Sequence, residues 1–293
     1  MNKKIFSIAP SFNCQLSCEG CYLTTDVTKE MRNATKSEAY YLRAIETAAE
    51  NGYTDFAITW NPFPGSFEMT KKYILYAKSL GFTTSVTTVI NTIPEGDREF
   101  YENLDVLTIS VDDMRFKSIQ EFISYNTQIC KEKTYFPTER KEAFQNVVIN
   151  YNLLWTPTVF EWLYENEDAF GEMLESINYP NTVQHLIYKP LSIYEQQGFK
   201  FWENYQRVFT EYPWVNIAGD GKKYIGDIAL NNLLGINNCP GEDFQMVDVD
   251  PMGQVRRCPE NPISYDGGNI YKLKNLLADG TTCKSEKCNC ITG

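Results

Sequence analysis

The chain has 293 residues, 43% of them hydrophobic and 14% aromatic, which supplies a large core and excludes a disordered chain. With 27 basic against 38 acidic residues the formal charge is −11, which argues against a general grip on nucleic acid or on an anionic membrane. No apolar run reaches bilayer-spanning length, and the short Ile5-Phe6-Ser7-Ile8-Ala9 stretch meets Pro10 with no small-residue cleavage site after it, so a cytoplasmic protein with reduced thiols is expected.

Lys4 to Ala9 reads as a short buried strand, and a cysteine-bearing loop leaves its C-terminal end. Cys14, Cys18 and Cys21 follow the spacing Cys-x3-Cys-x2-Cys. Thiolates are the usual ligands of iron–sulfur clusters, and a [4Fe–4S] cube takes four. Three ligands leave one iron open to a small molecule. A zinc knuckle would take a fourth Cys or His at short spacing, whereas the single histidine, His185, is remote; nine cysteines is also an odd count for disulfides. The stretch resembles the signature of the radical S-adenosylmethionine (radical SAM) superfamily. That resemblance implies a [4Fe–4S] cluster whose open iron is chelated by the amino and carboxylate groups of S-adenosylmethionine. It further implies reductive cleavage of the sulfonium to a 5′-deoxyadenosyl radical, with the protein placing the cofactor and shielding the radical. Tyr22 follows the last cysteine, where the family usually has an aromatic before it and Gly20 stands here. Tyr22 is thus either a cofactor neighbour or a core residue.

Thr35-Lys36-Ser37-Glu38 has capping-box form and predicts a helix with Leu42, Ile45, Ala48 and Ala49 on one face and Gly52 as its stop. Asp55 to Trp60 is the second strand, followed by the turn Asn61-Pro62-Phe63-Pro64-Gly65. The family commonly carries a Gly-Gly-Glu-type segment here that holds the methionine amino group. Asn61 occupies the place and offers a carbonyl oxygen in its stead. Ile74, Ala77 and Leu80 mark the next helix, Phe82 to Ile90 the third strand, Arg98 to Asn103 a short helix, and Asp105 to Val111 the fourth strand. Its end, Ser110-Val111-Asp112, resembles the Ser-x-Asp that contacts the cofactor ribose or methionine in the family, with Arg115 as the nearby basic residue. A Ser-x-Asp at a strand end is also ordinary helix-capping chemistry. Phe116, Ile119, Ile123 and Cys130 share a helix face; Cys130 is either a buried small hydrophobe or, as in some radical SAM epimerases, a hydrogen-atom donor. Asn146 to Tyr151 is the fifth strand, Thr156-Pro157 opens a helix, and Val183 to Tyr188 is the sixth strand, with His185 inside it. This α/β alternation implies parallel strands and matches the partial (β/α)6 TIM-like barrel of the superfamily, assigned to residues 1–212 after a long helix from Ile193 to about Tyr212.

Residues 213–293 change character and hold Cys239, Cys258, Cys283, Cys288 and Cys290. Asp250-Pro251-Met252-Gly253 is a type I turn signal between two strand-like stretches, so a hairpin separates Cys239 from Cys258. The segment resembles a SPASM or twitch domain, and the resemblance implies one auxiliary [4Fe–4S] cluster on Cys239, Cys258 and two of Cys283, Cys288 and Cys290. A structural zinc ribbon is the alternative use of the same residues.

These resemblances imply a radical SAM oxidoreductase that abstracts a substrate hydrogen, first of all to cross-link, oxidise or epimerise a ribosomally made peptide. A small-molecule dehydrogenase for an aminocyclitol or sugar-like substrate is the second reading. A non-catalytic iron–sulfur electron carrier or a zinc-binding protein is the third. The expected partners are an electron donor such as flavodoxin or ferredoxin and, because the cluster loop begins at Cys14, either a separate peptide-recognition protein or a short acceptor peptide.

Overall fold

Short strand-forming stretches alternate with amphipathic helices from residue 5 onward, and such alternation demands crossover connections between parallel neighbours. The computed structural model of the chain describes residues 4–14, 29–59, 65–88, 97–124, 147–166, 168–169, 172, 181–187, 225–226, 246–256 and 268–269. Of these, 181–187, 225–226, 256 and 268–269 are described by their backbone alone. The strands are β1 (Ile5–Ile8), β2 (Asp55–Ile58), β3 (Thr83–Thr88), β4 (Val106–Val111), β5 (Val148–Trp155), β6 (Asn181–Ile187), β7 (Ile225–Gly226), β8 (Met246–Val249), β9 (Gln254–Arg256) and β10 (Gly268–Asn269). The helices are α1 (Lys29–Asn33), α2 (Glu38–Glu50), α3 (Phe67–Ser79), α4 (Arg98–Glu102) and α5 (Pro157–Glu165). All strands join one sheet in the order β10-β9-β8-β1-β2-β3-β4-β5-β6-β7. From β8 through β1 to β7 every neighbouring pair is parallel, whereas β8–β9 and β9–β10 are antiparallel. This mixed α/β architecture is consistent with a partial TIM barrel.

Side chains alternate across a strand, so each strand has one face for the helices and one for the interior. Phe6, Ile8, Phe56, Ile58, Val86, Leu107, Ile109, Val111, Ile149, Tyr151, Leu153, Trp155, Val247 and Val249 form the helix-side core. They pack with Tyr41, Ala44, Ile45 and Ala48 of α2, Tyr73, Ile74 and Ala77 of α3, Phe100 and Tyr101 of α4, and Val159, Phe160 and Leu163 of α5. Among the described residues no helix is long and apolar enough to cross a membrane.

Local chemistry explains most element ends and corrects three expectations. The cap of α2 is Ser37, whose side chain accepts the Tyr40 N–H, and Thr35 instead bonds the Pro10 carbonyl at 3.4 Å. The helix therefore starts two residues later than the Thr35 capping box implies. Leu80 is not a core residue: it sits at the C-cap of α3 and is 40% exposed, past the last turn that faces the sheet. Strand β5 runs on to Trp155 rather than ending at Tyr151, because Leu153 and Trp155 continue its buried alternation. Thr156 then caps α5 by accepting the Val159 N–H, with Pro157 in its first turn.

The Asp250–Gly253 turn forms as its residues predict. Asp250 Oδ1 accepts the N–H groups of Met252 at 2.9 Å and Gln254 at 2.8 Å, and Gly253 takes φ +77°. The turn joins β8 to β9, and β8 lies parallel beside β1, with Phe6 opposite Val247 and Ser7 opposite Asp248. A strand of the segment assigned to the C-terminal domain thus extends the sheet at β1.

Candidate functional site

The interior face of the sheet has a composition unlike its helix face. Alternation puts Ser7, Ala57, Thr59, Ser85, Thr87, Thr108, Ser110, Asn150, Asn152 and Asp248 there. A packed (β/α)8 interior is filled by branched apolar side chains; hydroxyls, amides and a carboxylate mark a face built to meet polar partners. Register aligns Thr87, Thr108 and Asn150 in one row and Ser110 with Asn152 in the next. Asn150 Nδ2 donates to Thr108 Oγ1 at 3.4 Å and to Asn152 Oδ1 at 2.9 Å, which ties the two rows together. Burial grades along the face: Ser7 and Asp248 are fully buried, while Thr59, Thr87, Ser110 and Asn152 are half-buried. The sequence reading singled out Ser110 but passed over Thr59, Thr108, Asn150, Asn152 and Asp248. The available signal was a polar residue at every second place in otherwise apolar strands, such as Asp248 within Met-Val-Asp-Val.

The end of β4 adds charge at the edge of this face. Asp112 is 1% exposed, and its Oδ2 accepts from Arg115 Nη1 while its Oδ1 accepts the Met114 N–H at 3.1 Å. Burial pushes the Asp112 carboxyl above its ordinary value, and the Arg115 guanidinium opposes that push without overcoming it. The adjacent Asp113 accepts the Thr156 hydroxyl at 3.1 Å, so the ends of β4 and β5 are linked. Arg115 Nε is buried and has no hydrogen-bond partner among the described residues. A buried guanidinium N–H of this kind is an anion donor held in reserve. The helix-cap alternative for Ser110-Val111-Asp112 is met in part, since the Asp112 side chain and carbonyl organise the turn at 114–116.

Cys14 lies six residues past the end of β1, at the C-terminal edge that β1 shares with β4, and is half-buried. Pro10 to Cys14 is shaped by short-range bonds, with the Asn13 N–H on Ser11 Oγ at 3.0 Å and the Cys14 N–H on the Phe12 carbonyl at 3.1 Å. Because β1 and β4 run parallel in the sheet, the segments that carry Cys14 and Ser110-Val111-Asp112 with Arg115 leave it at the same edge. His185 is opposite Leu153 in the β5–β6 register. Cys18, Cys21, Tyr22, Asn61, Cys130, Cys239, Cys258, Cys283, Cys288 and Cys290 lie outside the described residues.

Comparison with solved structures places this architecture. Streptococcus suis SuiB bound to S-adenosylmethionine superposes with a TM-score of 0.61 over 94% of this chain and 65% of its own, at 13% identity. SuiB bound to precursor peptide SuiA gives a TM-score of 0.62 over 94% of this chain and 65% of its own, at 14% identity. Native anSMEcpe with bound AdoMet gives 0.61 over 91% of this chain and 77% of its own, at 15% identity. The chain thus spans just under two thirds of the SuiB chain. No family model and no curated protein sequence matches. At these identities the likeness shows the fold, which the chain shares with these S-adenosylmethionine-bound and precursor-peptide-bound proteins.

Proposed function

We propose that the chain is a radical SAM oxidoreductase that abstracts a hydrogen atom from a ribosomally made peptide. The observation that carries this reading is the Cys14-x3-Cys18-x2-Cys21 loop leaving β1 at the same edge where β4 presents Ser110, Asp112 and Arg115. The peptide as substrate is supported by the shared fold with SuiB, which has been seen with its precursor peptide. The described residues suit an S-adenosylmethionine site. Cys14 is half-buried six residues beyond β1, Arg115 Nε is a buried donor without a partner among the described residues, and the interior face is polar.

Cys14, Cys18 and Cys21 would hold a [4Fe–4S] cluster, which when bound supplies the electron that cleaves S-adenosylmethionine to a 5′-deoxyadenosyl radical. Arg115, oriented by Asp112, suits the methionine carboxylate, because a guanidinium is the natural partner of a planar anion. Ser110 would meet a cofactor hydroxyl, the carbonyl oxygen of Asn61 would take the methionine amino group, and Tyr22 would be a cofactor neighbour. Cys239, Cys258 and two of Cys283, Cys288 and Cys290 would hold an auxiliary cluster, a reading supported by the β8–β9 hairpin that separates the first two. That cluster would take the second electron of a substrate oxidation, the first leaving the substrate with its hydrogen atom; an external flavodoxin or ferredoxin would supply the electron consumed in cleaving S-adenosylmethionine.

Anaerobic reconstitution should load about four irons per cluster, about eight in all. Replacing Cys14, Cys18 and Cys21 with alanine should remove half of that iron and all formation of 5′-deoxyadenosine. Retention of the full iron content by the triple variant, or stoichiometric zinc in its place, would overturn the reading.

A further inference from the structure

Asp248 is a carboxylate in a place where the fold does not require one. It sits on β8, on the interior face, fully buried. Its Oδ1 accepts the Ser7 hydroxyl at 2.7 Å and the Thr59 hydroxyl at 3.3 Å. Ser7 belongs to β1, directly opposite Asp248, and Thr59 is the first residue beyond β2. One oxygen atom therefore gathers donors from two neighbouring strands across a third.

The backbone around it shows what is being held. The Thr59 N–H donates to the Ile8 carbonyl at 3.0 Å, and the Ala9 N–H donates to the Val249 carbonyl at 2.8 Å. The exit of β1 is thus clasped by β8 on one side and by residue 59 on the other. Two segments leave from this clasp. One runs through Pro10 to Cys14, and the other continues directly into Trp60 and Asn61. A buried carboxylate is expensive to desolvate, and an apolar side chain would fill the same volume without that cost. Its distinctive property is the ability to accept strong, directional bonds from two hydroxyls at one oxygen, which fixes two chain exits relative to each other.

We infer that Asp248 is a positioning residue for the S-adenosylmethionine site. It fixes the exit of β1, which leads to Cys14, against the exit of β2 at Thr59, through Ser7 and Thr59 and without touching the cofactor. The inference rests on the radical SAM reading proposed above.

The test uses the full chain, anaerobically reconstituted, as wild type, Thr59→Val, Asp248→Ala and Asp248→Asn. Four quantities are measured: iron content, thermal midpoint, the dissociation constant for S-adenosylmethionine, and the change that S-adenosylmethionine makes in the electron paramagnetic resonance spectrum of the reduced protein. Thr59→Val removes one donor at constant volume. It should keep iron and thermal midpoint while weakening S-adenosylmethionine binding about tenfold, the usual scale for a group that orients others at a metal site. Asp248→Ala should weaken it further and blunt the spectral change, and Asp248→Asn, which keeps an oxygen acceptor, should restore most of both. Wild-type binding and spectrum in Thr59→Val and Asp248→Ala would overturn the inference while leaving the radical SAM reading intact. So would loss of iron and thermal midpoint in step with binding in Thr59→Val, since the clasp would then be structural alone. Failure of the wild type to bind S-adenosylmethionine would overturn the reading and the inference together.

Discussion

Arg115 is held by a partner that is itself reluctant to be charged. The Asp112 side chain is 1% exposed and that of Arg115 is 20% exposed, so the pair sits at the boundary between core and solvent. Asp112→Ala should strand the guanidinium and free it from its fixed orientation. The stability lost should fall short of the roughly 3–5 kcal/mol for a wholly buried orphan charge, because Arg115 keeps contact with solvent. Removing Arg115 as well should recover part of that loss, a coupling that denaturant midpoints of the two singles and the double variant would measure. Additive losses would show that the pair carries no energy of its own. At this scale the sequence was informative where chemistry is local. Ser110-Val111-Asp112-x2-Arg115 could be read directly, since a strand end followed by a polar turn is written in consecutive residues. The partnership of Asp248 with Ser7 and Thr59 could not, because nothing local to position 248 points to residues 241 and 189 positions away.

Among elements, the β8–β9 hairpin shows the same division. Its turn was legible from Asp250-Pro251-Met252-Gly253, yet its neighbours, β1 and α2, were not. Tyr40 of α2 donates its hydroxyl to the Gly253 carbonyl at 2.6 Å. A Cβ at Gly253 would come within 2.7 Å of Lys36 Cε and 2.9 Å of Tyr40 Oη, and φ of +77° penalises any L side chain. Lys36 can swing away, but the Tyr40 ring is held edge-on to Tyr41. Gly253→Ala should therefore cost about 1–2 kcal/mol for the left-handed backbone and about 1 kcal/mol more for the displaced hydrogen bond. Tyr40→Phe should show the second loss alone. Chemical denaturation of both variants separates the two contributions, and equal losses would refute the backbone share. The cap at Thr156 and the parallel character of β1 to β6 follow from period and turn chemistry, whereas the cap at Ser37 and the short strands β7 and β10 do not. The exposed Leu80 was misread because helical period alone does not say where the last turn ends.

Taken whole, the molecule has an aromatic helix side and a polar interior side, and pH distinguishes them. Tyr41, Tyr53 and Tyr73 are buried on the helix side, and burial is the largest cause raising each phenol above its ordinary value of 10.0. For Tyr73 the value is pushed up to about 12. A raised folded-state value means that the fold holds these protons more tightly than the unfolded chain does. The stability they contribute is complete below pH 10 and is lost as pH climbs, for Tyr73 through about 12 and for Tyr41 and Tyr53 at higher pH still. Alkaline titration should accordingly show most of the 19 tyrosines ionising first. A final phenolate step should then coincide with loss of helical circular dichroism. Ionisation of every tyrosine with the dichroism unchanged would contradict this account. The polar interior was not legible as a surface, because its members come from six strands and only the pairing register sets them side by side. That register also dictates an order of manufacture. The strand that delivers Cys14 is flanked on one side by β8, and Ser7 and Val247 are 240 residues apart. At ribosomal speeds of roughly 5–20 residues per second, β1 waits on the order of 10–50 s with one row of backbone groups unpaired. A nascent chain in that interval has neither the Val249 bond nor the Asp248 clasp at the root of its cysteine loop. On the proposed reading, loading of iron would therefore follow synthesis of the hairpin, and a maturation factor would meet a chain that already includes β8.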